Sequence, residues 1–345
     1  MDNNSRTKQK LTLARDESGA VAVYFLLIFS ALCGIGGLAI DYGNMVRVKA
    51  EVQRTADAAA LAGAAGLLPY TNPGPTTQTP NWANGVIKAQ TMLSNAANRA
   101  DNVQFAAADG TVDYGYWLLL PPAGYVQPPT GGLPKARPTT AAYLPEPAII
   151  VTLSRDVNLY LAPLVRVTSP KTVSATATAI LPEANSITNL PPIAVSKEVA
   201  YNTIGGTLVA DAEDQDIKIQ SQKGKAGWFN LNGGNSVPSV RFSDPLVSGT
   251  GTDTTQIDLV PGSKAALTDL LTEGETVVVA VVEQVDDKMW TSIFGFAAFK
   301  IDSLGSNSMT GHFLNQYFDP KVIPSAGTGT GTISGVSGTP KLVSP

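Results

Sequence analysis

Of the side chains that carry most enzyme chemistry, this 345-residue chain holds one histidine, His312, and one cysteine, Cys33. Disulfide frameworks and Cys/His zinc sites cannot be built within one chain from that stock. Cys33 lies inside an apolar run, which also removes a Cys–His nucleophile pair. His312 stands in Gly-His-Phe-Leu, with no nucleophile-elbow motif around it, so it reads as a half-exposed structural histidine. The densest carboxylate group is Asp211, Glu213, Asp214 and Asp216. A hard cation such as calcium takes ligands of this type, but the EF-hand order and its glycine are missing, so a solvated turn is the expectation. The glycine pairs at 205–206 and 233–234 lack a phosphate-loop lysine and read as turns. Lys225-Ala-Gly-Trp228 has the residues of an aromatic recognition site, yet core packing is the commoner role for such a run. No catalytic, cofactor-binding or metal-binding residue emerges; an enzyme is not expected, and neither is a cofactor.

If the chain makes contacts and no bonds, its elements matter more than its reactive groups. Twenty-four Lys and Arg against 28 Asp and Glu give a net charge of −4, and no basic cluster follows the N-terminal stretch, so nucleic acid is excluded as a partner. Charged residues are only 15% of the chain, which argues against a coiled coil and against a charge-driven disordered chain. The poverty is uneven. Ala20 to Ile40 contains no Asp, Glu, Lys or Arg. Twenty-one helical residues span about 31 Å, close to the hydrocarbon core of a bilayer. The run exceeds a usual signal-peptide core and no small-x-small site closes it before Asp41, so an uncleaved anchor is expected. Arg6, Lys8, Lys10 and Arg15 precede it while Arg47, Lys49 and Arg54 follow, a small bias that places the N-terminus in the cytoplasm. Beyond the anchor no proline occurs until Pro69, and Met45, Val48, Val52, Ala56, Ala59 and Gly63 recur at spacings of three and four. That is one face of a continuing helix, small enough for close approach to another helix or to a sheet. The run Cys33-Gly34-Ile35-Gly36-Gly37 hints at helix association in the bilayer, although a strict GxxxG is absent.

Three segments together resemble a known family: Gly19-Ala-Val-Ala-Val, Gly37-Leu-Ala-Ile-Asp41-Tyr42, and Gln53-Arg-Thr-Ala56-Asp57-Ala-Ala-Ala-Leu-Ala-Gly63. They are similar to the N-terminal segment of TadG-like Flp (Tad) pilus-assembly proteins, firmly over residues 15–68. A weaker likeness continues through Asp113–Trp117, Ala148–Ser154 and Val173–Ala179. The resemblance implies a bitopic protein of a bacterial inner membrane, its bulk in the periplasm or outside the cell. It also implies that Gly19, Asp41, Tyr42, Gln53, Ala56, Asp57 and Gly63 serve anchoring or contact with other pilus-assembly proteins or pseudopilins. Asp41, at the end of the span, is expected to meet partner anchor helices. Two departures limit the carry-over. Pseudopilins of the system carry Glu five residues after the processed Gly, where this chain has Tyr24. The Asp-x-Ser-x-Ser metal motif of larger relatives is also missing; Asp302-Ser-Leu-Gly-Ser306 has Leu304 at its first serine.

The fold expected is α+β: a transmembrane helix continuing into an Ala-rich helix packed on a β-sheet region, then a mainly-β, sandwich-like C-terminal domain. The divisions are a basic tail (1–19), the span (20–40), an exported α+β region (41–181), a linker (182–192), a β-rich distal domain (193–325) and a flexible Gly/Thr/Ser tail (326–345). Within them a second helix is expected over Asn81–Ala100, and strands at 103–105 and 111–120 around an Asp109-Gly110 hairpin turn. A Pro/Gly-rich loop covers 121–147, with strands at 149–153, 157–161 and 172–180. In the last of these, Val173, Ala175, Ala177 and Ala179 share one face and hydroxyl residues the other. Distal strands are expected at 193–199, 207–210, 217–220, 256–259, 276–285 and 293–301, with a short helix over 263–271. The function expected is a membrane-anchored structural or assembly component of a Tad pilus; the alternative is a surface binding module, an adhesin or glycan binder, on the same anchor.

Overall fold

The computed structural model describes residues 18–68, 71–74, 77–119, 124–125, 145–165, 169–204, 207–210, 215–218, 225–249, 254–260, 267–286, 289–306, 308–323 and 336–343. The carboxylates at 211–214 and most of the 121–147 loop lie outside these residues.

With no proline to interrupt it, helix α1 runs unbroken over Ser18–Ala65, 48 residues or about 72 Å. Its two halves differ. Val21, Phe25, Ile28, Leu32 and Ile35 point outward and exposed around the first half, whereas Val48, Val52, Ala56, Ala59, Ala60 and Ala64 are fully buried along one stripe of the second. Among the described residues, α1 is the one helix long and apolar enough to cross a membrane.

The second helix, α2, covers Trp82–Leu93, and the Asn81 side chain caps it by accepting from Asn84 N–H at 3.1 Å. It is shorter than expected. Ser94 bonds back to the Gln90 and Thr91 carbonyls and Asn98 Nδ2 donates to the Met92 carbonyl, local side-chain bonds that compete with further helix. The chain then makes a hairpin, eight residues before the turn expected at Asp109-Gly110. Strands β1 (Arg99–Ala100) and β2 (Val103–Gln104) pair across Asp101 and Asn102, both with positive φ. Asp and Asn tolerate that left-handed region, so they make the tight turn. Asp109-Gly110 makes none: Asp109 closes a 3-10 turn and Gly110 opens a strand, where a Cβ would collide with Leu153 and the Thr152 carbonyl.

Strands β3 (Gly110–Leu118), β4 (Gly124–Tyr125), β5 (Glu146–Val157) and β6 (Lys171–Ile180) build a sheet in the order β6-β5-β3-β4. The β5/β6 register sets Val151 against Ala177 and Leu153 against Ala175, so the small face of β6 and the branched residues of β5 form one surface. Val173, Ala175, Ala177 and Ala179 are all buried there, beneath the α1 stripe. The Ala/Thr alternation does what its period requires: methyl groups under the helix, Thr172, Ser174 and Thr176 outward. The strand expected at 157–161 does not form; β5 ends at Val157 and a 3-10 turn occupies Ala162–Val165.

From residue 182 the packing also departs from expectation. The stretch read as a linker is mostly buried, and Ser186–Ile187 (β7) pairs with Leu246–Val247 and with Val322–Ile323. Beside it lies an eight-stranded mixed sheet. We number its strands β8 (Ile193–Ser196), β9 (Gln215–Lys218), β10 (Ala226–Asn230), β11 (Gln256–Val260), β12 (Thr276–Val282), β13 (Trp290–Ser292), β14 (Gly295–Leu304) and β15 (Ser308–Leu314). Their order is β9-β15-β14-β12-β8-β10-β11-β13, with β8 and β12 parallel. Both faces are covered, which explains the near-continuous apolar run of β12 (TVVVAVV). Val199, Leu267 and Leu271 cover one face; Ile187, Leu246 and Val322 cover the other. Of the helix expected at 263–271, residues 261–266 lie outside the described set and 267–269 form a single 3-10 turn. The tail expected to be flexible holds structure within 336–343. Ser337 is buried and its hydroxyl donates to the Pro182 carbonyl at 2.6 Å, and Lys341–Val343 (β16) returns to the first sheet, pairing with Thr178–Ile180 of β6. Backbone groups on an open sheet edge favour such a partner over water. The whole is α+β with a mainly-β C-terminal region.

Candidate functional site

Where α1 emerges from its exposed half into its buried half, one carboxylate joins two elements. Asp41 is 3% exposed, and its Oδ1 accepts from Tyr160 N–H at 2.8 Å. Its Oδ2 accepts from Leu161 N–H at 3.0 Å and Ala162 N–H at 2.5 Å. These amides belong to the β5–β6 connection and lead into the 3-10 turn at Ala162–Val165, so a side chain on one element caps the turn of another. Burial by itself pushes the Asp41 carboxyl up, but the donors at Tyr160, Ala162 and Leu161 outweigh it and hold the group below the usual carboxylate range. Four residues before it, Gly37 is buried under Leu161; a Cβ added at Gly37 would lie 3.0 Å from Leu161 Cβ. Ser169 Oγ steadies the same loop by accepting from Leu159 N–H at 3.1 Å. We call this assembly of Gly37, Asp41 and residues 159–162 the collar.

Six residues further along, a second clamp uses the β1–β2 hairpin. Arg47 Nη1 bonds Glu51 Oε1 at 2.7 Å and its Nη2 bonds Asp101 Oδ1 at 3.0 Å, while Asp101 N–H donates to Glu51 Oε2 at 2.9 Å. The remaining family positions are spread along α1. Gln53 Nε2 donates to Asp57 Oδ1 at 2.8 Å and reaches the Thr176 carbonyl at 3.5 Å, facing β6. Ala56 is fully buried in the core. Gly63 lies at the crossing of α1 and α2, where a Cβ would stand 2.8 Å from Ile149 Cγ2, 3.0 Å from Ala89 Cβ and 3.1 Å from the Gly85 carbonyl. Gly85 is its counterpart, with the Gly63 carbonyl 3.1 Å from an added Cβ. Tyr42 is 70% exposed. Gly19 lies in the first turn of α1.

The seven positions therefore do not converge on one pocket. Asp41, Gln53, Ala56, Asp57 and Gly63 meet other parts of this same chain, and Asp41, expected to face partner helices, is occupied by the β5–β6 loop. Sequence reasoning missed the loop: the alternation of Val157, Leu159 and Leu161 imitates a strand, and nothing local marks it as a partner of Asp41. It also missed the Arg47–Glu51–Asp101 clamp, for which Arg47 and Glu51 at helical spacing were the available signal.

Trp228 is 1% exposed and sits in the distal core. His312 Nδ1 lies 3.4 Å from Asp302 Oδ2 on neighbouring strands. Among the described residues no three His, Cys, Asp or Glu side chains converge as metal ligands.

These features define a class: an anchor-type helix built continuously into the core of an α+β body. Comparison with known families then places it. Residues 19–66 match the family described as "Putative Flp pilus-assembly TadE/G-like", and residues 48–179 match "Putative Tad-like Flp pilus-assembly". Residues 19–179 therefore carry segments similar to Tad pilus-assembly families, and these support a role associated with the Tad pilus. No curated protein and no solved structure matches the chain.

Proposed function

We propose that this protein is a membrane-anchored, exported assembly component of a Tad (Flp) pilus or related secretion apparatus, and that it works by protein–protein contact. The observation that carries the reading is α1 itself. Its outward apolar half covers the 21-residue charge-free run, and the same helix, without a break, forms the buried spine of a Tad-type body. Bilayer lipid surrounds the exposed half, and the anchor helices of other pilus-assembly proteins or pseudopilins dock against it laterally. The short basic N-tail lies in the cytoplasm and the folded body on the far side of the inner membrane. The β-rich distal region meets secretin or pilus subunits there. The collar makes this arrangement mechanical: a push or tilt delivered to the anchor reaches the sheet through Asp41 rather than being lost in a hinge.

The test is genetic and visual. An in-frame deletion should abolish or sharply reduce Flp pili counted by electron microscopy, with recovery on re-expression of the full chain. A deletion strain that pilates normally but loses surface attachment would replace this reading with that of an anchored binding module.

A further inference from the structure

We propose that the 158–163 loop is a second membrane contact, seating Tyr160 and Leu161 at the headgroup–acyl boundary beside the end of the charge-free run in α1. This rests on the reading of α1 as a membrane span. The loop touches α1 at Gly37, four residues or about 6 Å toward the span from Asp41. The charge-free run ends at Ile40, so Leu161 lies level with the last turn of the span, below the point where water-facing sequence resumes. The loop is suited to that depth. Residues 157–165 (VNLYLAPLV) contain no charged side chain. Tyr160 is 66% exposed, an amphipathic ring at the level where aromatic belts form.

Backbone is the usual obstacle to placing a loop in a low-dielectric layer, because unpaired N–H groups there cost several kcal/mol each. Here Asp41 accepts all three consecutive amides, of Tyr160, Leu161 and Ala162. Beneath the loop an open groove of about 640 Å³ is lined by Phe29, Cys33, Gly34, Gly37, Ile40 and Leu161. All but Leu161 belong to the charge-free run. The groove is apolar, opens sideways at bilayer depth and continues the lipid-facing surface of α1, so its occupant is a lipid acyl chain. The collar then has a second role: it holds a lipid-seated foot that fixes how far the body stands from the membrane and how the anchor tilts.

Spin-label accessibility tests this in full-length protein carrying Cys33→Ala, in vesicles of phosphatidylethanolamine and phosphatidylglycerol. Labels go at Tyr160→Cys, at Leu27→Cys within the run and at Val103→Cys on the body. Only the backbone of residue 160 serves Asp41, so the substitution leaves the collar bonds in place. The proposal expects a label at 160 that collides with oxygen and has several-fold lower access to a nickel chelate than the label at 103. Nickel access equal to that at 103 overturns it, and so does a label shielded from both reagents, which would mean a second copy covers the loop. If the label at 27 is also open to nickel, the span reading itself has failed. If 27 is deep while 160 is aqueous, only the foot has failed.

Discussion

One carboxylate joins the anchor half of α1 to the β5–β6 loop of the body. Asp41 is held ionised by three amides, so its folded-state pKa lies below its unfolded value. The sign follows: the stabilisation is fully present above the ordinary carboxylate range and is lost as pH falls through the depressed folded value. Acidification should therefore loosen the 158–165 loop, seen as faster amide hydrogen exchange there, and Asp41→Asn should lack that pH-dependent component. Asp41→Lys should open the collar even at neutral pH, since a cation cannot accept from the Tyr160, Leu161 and Ala162 N–H groups. Gly63 is the second residue with one permitted identity. A leucine there has to enter the space of Ile149, Ala89 and the Gly85 backbone. Gly63→Leu should destabilise the protein by at least the ~1–3 kcal/mol typical of overpacking, read as a lower denaturant midpoint. A near-normal midpoint would mean the two helices do not cross at Gly63.

Among the elements, those with a strong intrinsic period were legible. The unbroken α1, the stripe from Val48 to Gly63 and the Ala/Thr alternation of β6 all followed from spacing alone, because burial acts on every turn or every second residue. Elements decided by long-range partners were not. Asp101-Asn102 makes the tight turn while the stronger-looking Asp109-Gly110 does not, since Gly110 is required by the close approach of β5 and not by a turn. The 182–192 stretch has a linker's prolines, but Ala184, Ile187 and Leu190 are buried against the distal sheet. Least legible was β16. A Thr/Gly/Ser-rich tail gives no local sign that Lys341, Leu342 and Val343 will pair with Ile180, Ala179 and Thr178. That pairing leads to a prediction. A stop codon after Pro340 should expose the outer edge of β6, lower the melting temperature and raise self-association in light scattering. Unchanged melting and a monodisperse truncated protein would show that β16 adds nothing to the sheet.

For the whole molecule, the family segments explain the first half of the fold, and β16 and the Ser337–Pro182 bond tie the second half back to it. The two halves are stitched at both ends of the distal region, so deleting residues 193–345 would also strip the first sheet of its edge strand. Of the collar, the resemblance put Asp41 alone among its contact positions, and only the fold supplied its partner. The central claim is that anchor and body form one stiff unit joined at the collar. The most direct measurement is the distance between spin labels at Leu27→Cys and Val103→Cys, by double electron–electron resonance on the full chain with Cys33→Ala in lipid nanodiscs. The account predicts one narrow distance distribution that broadens when Asp41→Ala is added. A broad distribution with Asp41 intact, or a narrow one that Asp41→Ala leaves unchanged, would contradict it.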